Sequence, residues 1–486
     1  MRVLFIILKP PGRFAGPDLP HAGIGYLTSI LLKHGIEVSI LDLRLGGDAS
    51  KILSVLRAFK PNLVGVTSTS YGYKKAYDIV HIVKSSDEVK EGCKVVIGGP
   101  HVSALGSRVL DESDAHFAVK GEGEFTLLEL SWALQEGRRD FGDIKGLIWR
   151  WKGEAVENED RPFITDLDAL PFPAYERFDL ERYFCYQERV LPVVTSRGCP
   201  FRCIFCSVRL SMGPKFRPRT PENTVDELEY WLKRGWNTFE FQDDNFSCHI
   251  ERARKICDLI LTRGLKIKWR LDSVRADRVT SDLLRRMKEA GCVLIGFGIE
   301  SGNEEVLKMI HKGTSLQRIR QAVEMADEVG IEKKIGYFIV GHPGETYDKS
   351  MDSMRLAQSL PLDEVNFYNL VPYPGTVLFQ WVKENGHFLY PEELYLNQIS
   401  YWQDSPIFET KEFPARERKR AFKIGHSLER KSMAQTRFGR FWGYWAWLLT
   451  SVPLVERFAV RLAKESKLGH SLFLSISSRL KEASDG

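Results

Sequence analysis

Three cysteines stand close together in the segment SRGCPFRCIFCS, with the spacing C-x3-C-x2-C. Cys199, Cys203 and Cys206 follow the apolar run VLPVV, which predicts a buried strand that leads into their loop. Three thiolates at this spacing can each bind a different iron of a four-iron cluster. Since an electron-transfer cluster normally has four protein thiolates, the missing fourth ligand leaves one iron open and indicates chemistry at the metal.

Two other interpretations of these cysteines are a zinc site and three buried thiols that bind nothing. Zinc would need a fourth Cys or His at a compatible spacing, and the next histidine along the chain, His249, is far away. Pro200 and Phe205 inside the segment suit a tight loop. The iron–sulfur cluster is therefore favoured over both.

Four charged residues follow apolar runs further along the chain, where strands of a parallel sheet would end. Asp243 and Asp244 stand in EFQDDNFS, Arg275 in RLDSVRADRV and Glu300 in IGFGIESGNEEVL. Arg275 is able to bind a carboxylate through two hydrogen bonds, and Glu300 suits the hydroxyl groups of a ribose. Ordinary structural roles stay open for all four, as helix caps or as a surface ion pair.

The cysteine segment resembles the CxxxCxΦC motif of the radical SAM superfamily, with Phe205 in the aromatic position. The resemblance implies a [4Fe–4S] cluster held by Cys199, Cys203 and Cys206. Its open iron would take the amino and carboxylate groups of S-adenosylmethionine (SAM), which one electron then cleaves to a 5′-deoxyadenosyl radical. No catalytic residue is assigned beyond the three cluster ligands.

The same resemblance implies a SAM site built from residues in an ordered series of segments. The acidic pair departs from the usual GGE segment but is similar to the DD variant of the branch that also binds cobalamin (vitamin B12). The turn in GYFIVGHPGET, at Gly341, resembles the segment that packs near the adenine. The residues expected to contact SAM are Phe205, Asp243, Asp244, Arg275, Glu300 and Gly341.

The chain before the cysteines reads as alternating strands and helices up to about residue 140. Such alternation predicts an α/β fold with a parallel sheet and helices on both faces. Ligands of such folds lie at the carboxyl ends of the strands. Helices are predicted at 22–34, 49–59 and 74–84, and a further helix is predicted to follow HFAVKGEGE and to end at about residue 135.

This first region resembles the cobalamin-binding, Rossmann-like domain of B12-dependent radical SAM proteins. The resemblance rests on the order of elements, on VIGGPHVSAL, on VKGEGE and on the loop PPGRFAGPDLPHAGIGYL. It implies cobalamin contacts at strand ends, where glycines let a flat corrin approach the backbone. The residues expected there are Gly98, Gly99, Pro100, His101, Gly121 and Glu122.

The DxHxxG motif, which supplies a histidine ligand to cobalt in many B12 domains, is absent. Asp114 and His116 are followed by Val119 in place of the glycine, and Asp18 and His21 have the wrong spacing. The expectation is that cobalamin binds without a histidine ligand. The alternative is a domain that has lost cobalamin and serves as scaffold.

The rest of the chain predicts three further segments. A hairpin that turns at Gly153 and a Pro-rich stretch make residues 141–189 a linker. Repeated strand–helix units over 190–400 predict a full or partial TIM-type (β/α) barrel. Residues 401–486 are predicted to form a helical C-terminal region, and residues 1–140 form the B12-type domain.

Composition limits the class of protein. The 486 residues carry a net charge of +5, which does not favour nucleic acid as a partner. The apolar start ends at Pro10 and Pro11, too short for a secretory signal. Clustered thiols without an export signal favour a metal site in a reducing cytoplasm over a disulfide framework.

The C-terminal region is basic and aromatic. From Lys411 onward it holds sixteen Lys or Arg against seven Asp or Glu, a net charge of +9. The stretch RFGRFWGYWAWLLTSVPLVERF has an uncharged run, Phe441–Val455, that is too short for a membrane span. Two interpretations stay open: a helix lying on the inner face of an anionic membrane, and a helical cap packed on the barrel.

The predicted activity is methyl transfer to an unactivated carbon of a lipid, tetrapyrrole or other metabolite, with an electron donor such as flavodoxin or ferredoxin. Oxidation or cyclisation without methyl transfer, as in anaerobic magnesium-protoporphyrin ester cyclase-like members, is the first alternative. A non-catalytic cluster- or cobalamin-binding protein is the second. A methylthiotransferase is disfavoured, since it would bring three more cysteines to the first region, which has only Cys93.

Overall fold

The structure is a computed structural model that describes residues 1–9, 19–87, 92–183, 188–399, 403 and 405–450. The described residues fall into two compact units. The first lies within Met1–Leu271, Glu289–Gly291 and Val371–Ser400. The second lies within Asp272–Lys288, Cys292–Leu370 and Tyr401–Gly486.

The N-terminal part of the first unit is a seven-stranded sheet in the order β2-β1-β3-β4-β5-β6-β7. Its first five strands are parallel and the last two antiparallel. The parallel strands are nearly continuous apolar runs because helices cover both faces. The strands are β1 (Arg2–Ile7), β2 (Glu37–Asp42), β3 (Leu63–Thr67), β4 (Lys94–Gly98), β5 (Phe117–Val119), β6 (Leu147–Trp151) and β7 (Glu154–Glu157).

The helices predicted at 22–34, 49–59 and 74–84 begin within one residue of their predicted starts, whereas α4 and α5 were not predicted. Asp48 caps α2 by accepting hydrogen bonds from the backbone amides of Ser50 and Lys51. The predicted hairpin turns at Gly153, which has φ +94°. The helices are α1 (Ala22–Lys33), α2 (Ala49–Phe59), α3 (Tyr73–Lys84), α4 (Pro100–Leu105), α5 (Arg108–Glu112) and α6 (Glu124–Gln135).

A second series of parallel strands follows. In the first unit, β11 pairs with β8 on one side and with β12 on the other. The short β9 and β10 pair antiparallel beside the cysteine loop. The elements are β8 (Leu191–Val193), β9 (Ser196–Arg197), α7 (Val208–Ser211), β10 (Arg217–Pro218), α8 (Pro221–Leu232), β11 (Thr238–Phe241), α9 (Ile250–Thr262) and β12 (Lys268–Val274).

The second unit continues the strand–helix alternation. Its strands pair parallel in the order β13-β14-β15. The elements are α10 (Ser281–Glu289), β13 (Cys292–Glu300), α11 (Glu304–Met309), α12 (Leu316–Val329), β14 (Lys333–Val340), α13 (Tyr347–Ser359) and β15 (Glu364–Asn369).

The remaining elements are short or helical. Residues 371–399 hold α14 (Val377–Asn385), β16 (His387–Phe388) and α15 (Glu392–Gln398), and β17 (Phe408–Glu409) follows. The C-terminal helices are α16 (Ala415–Phe438) and α17 (Arg440–Thr450). Short 3-10 helices lie at Leu43–Leu45, Tyr175–Arg177, Leu180–Arg182, Phe246–Cys248 and Ala276–Arg278.

Helix α16 lies along the free edge of β15. The backbone amide of Val365 donates to Ser432 Oγ, and that of Phe367 to Glu429 Oε2, both at 3.1 Å. Side chains of a helix thus satisfy donors that would otherwise need another strand. No helix of the described ranges is both long and apolar enough to span a bilayer.

The predicted α/β class, the two strand–helix regions and the helical C-terminal region are confirmed for the described residues. The boundaries at 140, 189 and 400 stay a prediction. The predicted tail beyond residue 450, with Arg457, lies outside the described residues, as do residues 10–18 of the N-terminal loop.

Candidate active site

The three clustered cysteines lie in the loop between β9 and α7. Cys199, Cys203 and Cys206 are each half-buried, and the amide of Cys206 donates to the carbonyl of Cys203 at 3.1 Å. This bond closes a tight turn. Phe205, in the aromatic position, is also half-buried.

Gly198 fixes the start of this loop. Its φ is +81°, in the left-handed region that favours glycine. A Cβ atom there would lie 2.8 Å from the carbonyl oxygen of Met212 and closer still to that of Lys215. The backbone conformation just before Cys199 therefore requires a glycine at position 198.

The donor set of the loop fits an iron–sulfur cluster. Burial, together with the neighbouring Cys203, Cys199 and Asp244, raises the pKa of the Cys206 thiol to about 11. Such a thiol needs a bound cation to become a thiolate. Among the described residues, no three His, Cys, Asp or Glu side chains are grouped to hold a single metal ion, and a cluster needs no such grouping because each thiolate binds a different iron.

Asp243 supports the strand that enters the loop. It is 4% exposed, and its carboxylate accepts hydrogen bonds from the backbone amide of Thr195 at 2.6 Å, from the Thr195 hydroxyl and from the Ser196 hydroxyl at 2.6 Å. Both carboxylate oxygens are thereby used within the protein. The SAM contact predicted for Asp243 stays a prediction beside this observed role.

Asp244 contacts the cysteine loop itself. Its Oδ2 accepts a 2.8 Å hydrogen bond from the amide of Gly198. Burial is the main cause that raises its pKa to about 6, and the charge of Asp243 adds to it. The next residue, Asn245, is 1% exposed, and neither atom of its amide group has a hydrogen-bond partner. A buried amide without a partner beside a half-buried carboxylate fits a site that binds a polar ligand.

A buried ion-pair network surrounds Arg197, two residues before the first cysteine. Glu122 pairs with Arg197 at 2.9 Å and with Arg217 at 2.8 Å, and Glu124 pairs with Arg197 at 2.7 Å. None of the four side chains is more than 8% exposed. Neither Arg197 nor Arg217 was predicted as a site residue. The one sequence signal for Arg197 was its position two residues before Cys199. The predicted cobalamin contact of Glu122 stays a prediction.

The second unit holds three other predicted residues. Glu300 has φ +68°, an unusual conformation for a residue with a side chain, and it follows a register shift between β13 and β14. Its carboxylate pairs with buried Lys312 at 2.8 Å. Arg275 donates to the carbonyl oxygen of Lys312 at 2.5 Å and pairs with Asp277 at 3.0 Å. Lys312 was not predicted, and no motif points to it.

The Gly341 turn is held from two sides. Oε2 of Glu345 accepts from the amides of Gly341 at 2.6 Å and His342 at 2.9 Å. Arg418 of α16 donates to the carbonyl oxygen of Gly341 at 3.0 Å. Gly341 has φ +109°, and a Cβ atom there would lie 2.7 Å from the Arg418 side chain.

The predicted cobalamin residues lie at or after the carboxyl ends of β4 and β5. Gly99 has φ +111°, and a Cβ atom there would lie 2.6 Å from the carbonyl oxygen of Ser68. The buried Ser68 hydroxyl, which follows β3, has no hydrogen-bond partner. Gly121 has φ +71° and donates to Ser103 Oγ at 3.0 Å. Glycines in the left-handed region beside an unpaired hydroxyl fit a ligand at this edge.

His101, which follows Pro100 in the first turn of α4, is packed inside the domain. It is fully buried, its ring stacks on Tyr73 with centroids 4.5 Å apart, and its Nε2 lies 3.0 Å from the Tyr77 hydroxyl. Burial lowers its pKa to about 4, so the ring is neutral at pH 7. Its predicted cobalamin contact stays a prediction.

The two histidines of the incomplete motifs have structural partners. The Nδ1 atom of His116, which precedes β5, accepts a 3.0 Å hydrogen bond from the amide of Val95. His21 caps α1 by accepting from the amide of Ile24 at 3.3 Å. Asp18, the other residue of that pair, lies outside the described residues.

The structure thus brings the three cysteines, Asp243, Asp244 and Glu122 together in the first unit. Arg275 and Glu300 meet at Lys312 in the second unit, which also holds Gly341.

Two family models match the chain. The model of the radical SAM superfamily matches residues 193–357, and the model of the B12 binding domain matches residues 12–131. These ranges contain the cysteine loop and the glycine-rich strand ends.

Characterised and uncharacterised relatives match most of the chain. It is 34% identical to an uncharacterized methyltransferase of Pyrococcus horikoshii, over 85% of this chain and 89% of the relative. It is 29% identical to cytidylyl-2-hydroxyethylphosphonate methyltransferase of Streptomyces wedmorensis, over 82% and 84%. It is 28% identical to the anaerobic magnesium-protoporphyrin IX monomethyl ester cyclase of Rubrivivax gelatinosus, over 78% and 70%.

Solved structures share the fold. The cobalamin-dependent SAM radical enzyme OxsB, with aqua-cobalamin and SAM bound, gives a TM-score of 0.74 at 18% identity, covering 99% of this chain and 75% of that one. The radical SAM methyltransferase TsrM of Kitasatospora setae gives 0.65 at 22%, covering 79% and 74%.

The resemblance seen in the cysteine motif and in the first region is confirmed, and with it the expected [4Fe–4S] cluster, SAM and cobalamin as cofactors. Because a relative above 30% identity matches most of both chains, this protein belongs to the radical SAM superfamily, among the enzymes that carry a B12-binding domain.

Proposed function

We propose that this enzyme transfers a methyl group to an unactivated carbon of a lipid, tetrapyrrole or other metabolite. One observation carries the proposal. Glu122, at the carboxyl edge of the B12-type sheet, pairs directly with Arg197, two residues before the first cluster cysteine. Two of the relatives, from Pyrococcus and Streptomyces, are named methyltransferases, which supports the same activity.

The cofactors and the residues that hold them have separate roles in the proposed reaction. When bound, the cluster and SAM supply radical chemistry and cobalamin supplies methyl-group transfer. Cys199, Cys203 and Cys206 hold the cluster, and Asp243 and Asp244 hold the backbone that leads to them. No other side chain is assigned a catalytic role.

The proposed SAM contacts are those of the sequence prediction. Arg275 is suited to the carboxylate and Glu300 to the ribose, because each is a charged group held rigid by a buried neighbour. The full set is Phe205, Asp243, Asp244, Arg275, Glu300 and Gly341. The proposed cobalamin contacts are Gly98, Gly99, Pro100, His101, Gly121 and Glu122.

The test is anaerobic reconstitution with iron, sulfide and cobalamin, followed by product analysis under dithionite. Bound corrin bands with both 5′-deoxyadenosine and S-adenosylhomocysteine are expected. A Glu300→Gln variant is expected to raise the apparent Kd for SAM about tenfold, equal to the loss of about 1.4 kcal/mol. A Glu305→Gln variant, at an exposed position of α11, serves as control.

A second candidate is oxidation or cyclisation without methyl transfer, since the Rubrivivax relative is named a cyclase. It predicts 5′-deoxyadenosine without S-adenosylhomocysteine in the same assay. Absence of any SAM cleavage by protein that holds both cofactors would instead support a non-catalytic binding protein.

The substrate is proposed to be a small or lipid-like molecule, and the electron donor a flavodoxin or ferredoxin. We also propose a cytoplasmic location with peripheral contact to the inner face of the membrane. Helix α17 exposes an aromatic face, with Phe441 60% and Trp445 47% exposed, next to the basic α16. Such a face suits an anionic bilayer.

Flotation with vesicles tests the membrane contact. The enzyme is expected to float with phosphatidylglycerol vesicles and not with phosphatidylcholine vesicles, and a Trp442→Ser/Trp445→Ser variant is expected to float less. Equal recovery without vesicles and with either kind would overturn the proposal.

A further inference from the structure

Each of the four residues before the first cluster cysteine is held by a carboxylate. Asp243 bonds Thr195 and Ser196, and Asp244 bonds the amide of Gly198. These two carboxylates follow β11. The remaining residue, Arg197, differs from the other three because its carboxylate partners come from a part of the chain about 75 residues earlier.

Those partners are Glu122 and Glu124, in the loop that joins β5 to α6. Arg197 uses one guanidinium nitrogen for each carboxylate, at 2.9 and 2.7 Å. Its guanidinium also lies over the Tyr26 ring, 4.9 Å from the centroid. The ion pairs and the ring contact of the Arg197 side chain therefore come from residues of the N-terminal sheet region.

Glu122 is also linked to the cysteine loop through Arg217. It pairs with Arg217 at 2.8 Å, and another nitrogen of Arg217 donates to the carbonyl oxygen of Met212 at 2.7 Å. That carbonyl is one of the atoms that crowd the Cβ position of Gly198. The Glu122 carboxylate also accepts from the amide of Ile164 at 2.7 Å.

We propose that Glu122 and Glu124 are positioning residues of the iron–sulfur cluster. The loop after β5 is thereby a part of the cluster site, although it belongs to the B12-type sheet. The inference rests on the cluster and not on methyl transfer, SAM cleavage or bound cobalamin.

The physical reason is the cost of leaving buried charges unpaired. Without the charge of Glu122, Arg197 would keep Glu124 as its carboxylate partner, and Arg217 would keep the carbonyl oxygens of Ile164 and Met212, although both arginines are less than a tenth exposed. Removing one partner of a buried ion pair costs far more folding stability than removing one partner of a surface pair. The arginines would shift toward solvent or toward other acceptors, and the adjoining backbone of Gly198 and Cys199 would move with them.

The test compares Glu122→Gln with Glu129→Gln in the full-length apo protein. Glu129 pairs with Arg161 in the same sheet region, but that pair is partly exposed and does not contact the cysteine loop. Iodoacetamide is added anaerobically, and the alkylation rate of each cluster cysteine is followed by mass spectrometry. Iron per chain is measured after reconstitution without SAM or cobalamin.

For Glu122→Gln we expect alkylation at least five times faster at Cys199 and at least a threefold loss of bound iron. Glu129→Gln is expected to match the wild type in both. Equal alkylation rates and equal iron in Glu122→Gln and Glu129→Gln, with cooperative unfolding of both, would overturn the proposal.

A second variant decides the case where Glu122→Gln does not fold. Arg217→Lys keeps the charge but cannot bond Glu122 and Met212 with separate nitrogens. Faster alkylation of Cys199 in folded Arg217→Lys supports the proposal, and wild-type rates with wild-type iron contradict it. Both measurements are independent of whether the enzyme later proves to transfer methyl groups.

Discussion

The amide of Gly198 donates a 2.8 Å hydrogen bond to the carboxylate of Asp244. This bond joins the residue before the first cluster cysteine to a residue in the loop that follows strand β11. The loop geometry is thus set by groups of the neighbouring strand as well as by the cysteine spacing, and the cysteine loop is oriented by the protein's own hydrogen bonds.

Replacing Gly198 with alanine is expected to destabilise the fold by about 4 kcal/mol, at the severe end for single substitutions. The new Cβ would combine a left-handed φ with a collision against two carbonyl oxygens. Urea unfolding of the apo protein measures the loss. Gly235→Ala is the matched control, because its φ is +86° but nothing lies within 4 Å of the added Cβ. It is expected to cost about 1 kcal/mol. Equal losses in the two variants would contradict the crowding at Gly198.

Asp243→Ala is expected to cost about 3 kcal/mol, since it leaves buried hydrogen-bond donors of Thr195 and Ser196 without an acceptor. The free energy of unfolding is measured in urea at pH 7. Glu251→Ala, at an exposed site on α9, is the comparison and should change stability by less than about 0.5 kcal/mol. A loss below 1 kcal/mol for Asp243→Ala would show that these hydrogen bonds are not what holds the loop.

Cys203→Ala is expected to abolish SAM cleavage under anaerobic conditions, because two thiolates would remain for the cluster. Iron content and 5′-deoxyadenosine are measured after reconstitution. The wild type is also expected to lose activity in air as oxygen destroys the cluster. Cys93→Ala, which changes a thiol buried in the N-terminal sheet, should keep both iron and activity. Full cleavage by Cys203→Ala would refute the ligand assignment.

Glu429→Gln is expected to change how stability depends on pH. Burial raises the pKa of Glu429 from 4.5 to about 7. The folded state therefore binds a proton more tightly than the unfolded chain does, and the wild type loses stability as pH rises from about 4.5 to 7. The amide of glutamine keeps an acceptor for Phe367 and does not titrate.

Thermal unfolding at pH 5 and pH 8 measures this difference. At pH 8 the Glu429→Gln variant is expected to be more stable than the wild type by up to about 3 kcal/mol. At pH 5 the difference should be much smaller. Glu417→Gln, on the exposed first turn of the same helix, is the control. A constant difference between Glu429→Gln and wild type at both pH values would contradict the raised pKa.

Much of the fold was predictable from local patterns. Buried apolar runs such as β1 and β4 mark parallel strands, and capping residues such as Asp48 mark helix starts, because both signals depend on near neighbours in the chain. The cysteine motif is likewise local, because its three ligands lie within eight residues of the chain. Its three residues and the order of the later segments were enough to indicate the family.

The partners of the site residues were not predictable in the same way. Glu122 was read as a cobalamin contact from its glycine-rich surroundings, yet its carboxylate is engaged by two arginines from 75 and 95 positions away. Lys312, which pairs with Glu300, carries no motif at all.

The sequence by itself determined the chemistry: three thiolates for a cluster, glycines where strands must turn, and two strand–helix regions. Only the tertiary structure decided which charged groups are buried together. A buried charge takes its partner from whatever residue the fold brings within 3 Å, and that proximity is a property of long-range packing that no local pattern encodes.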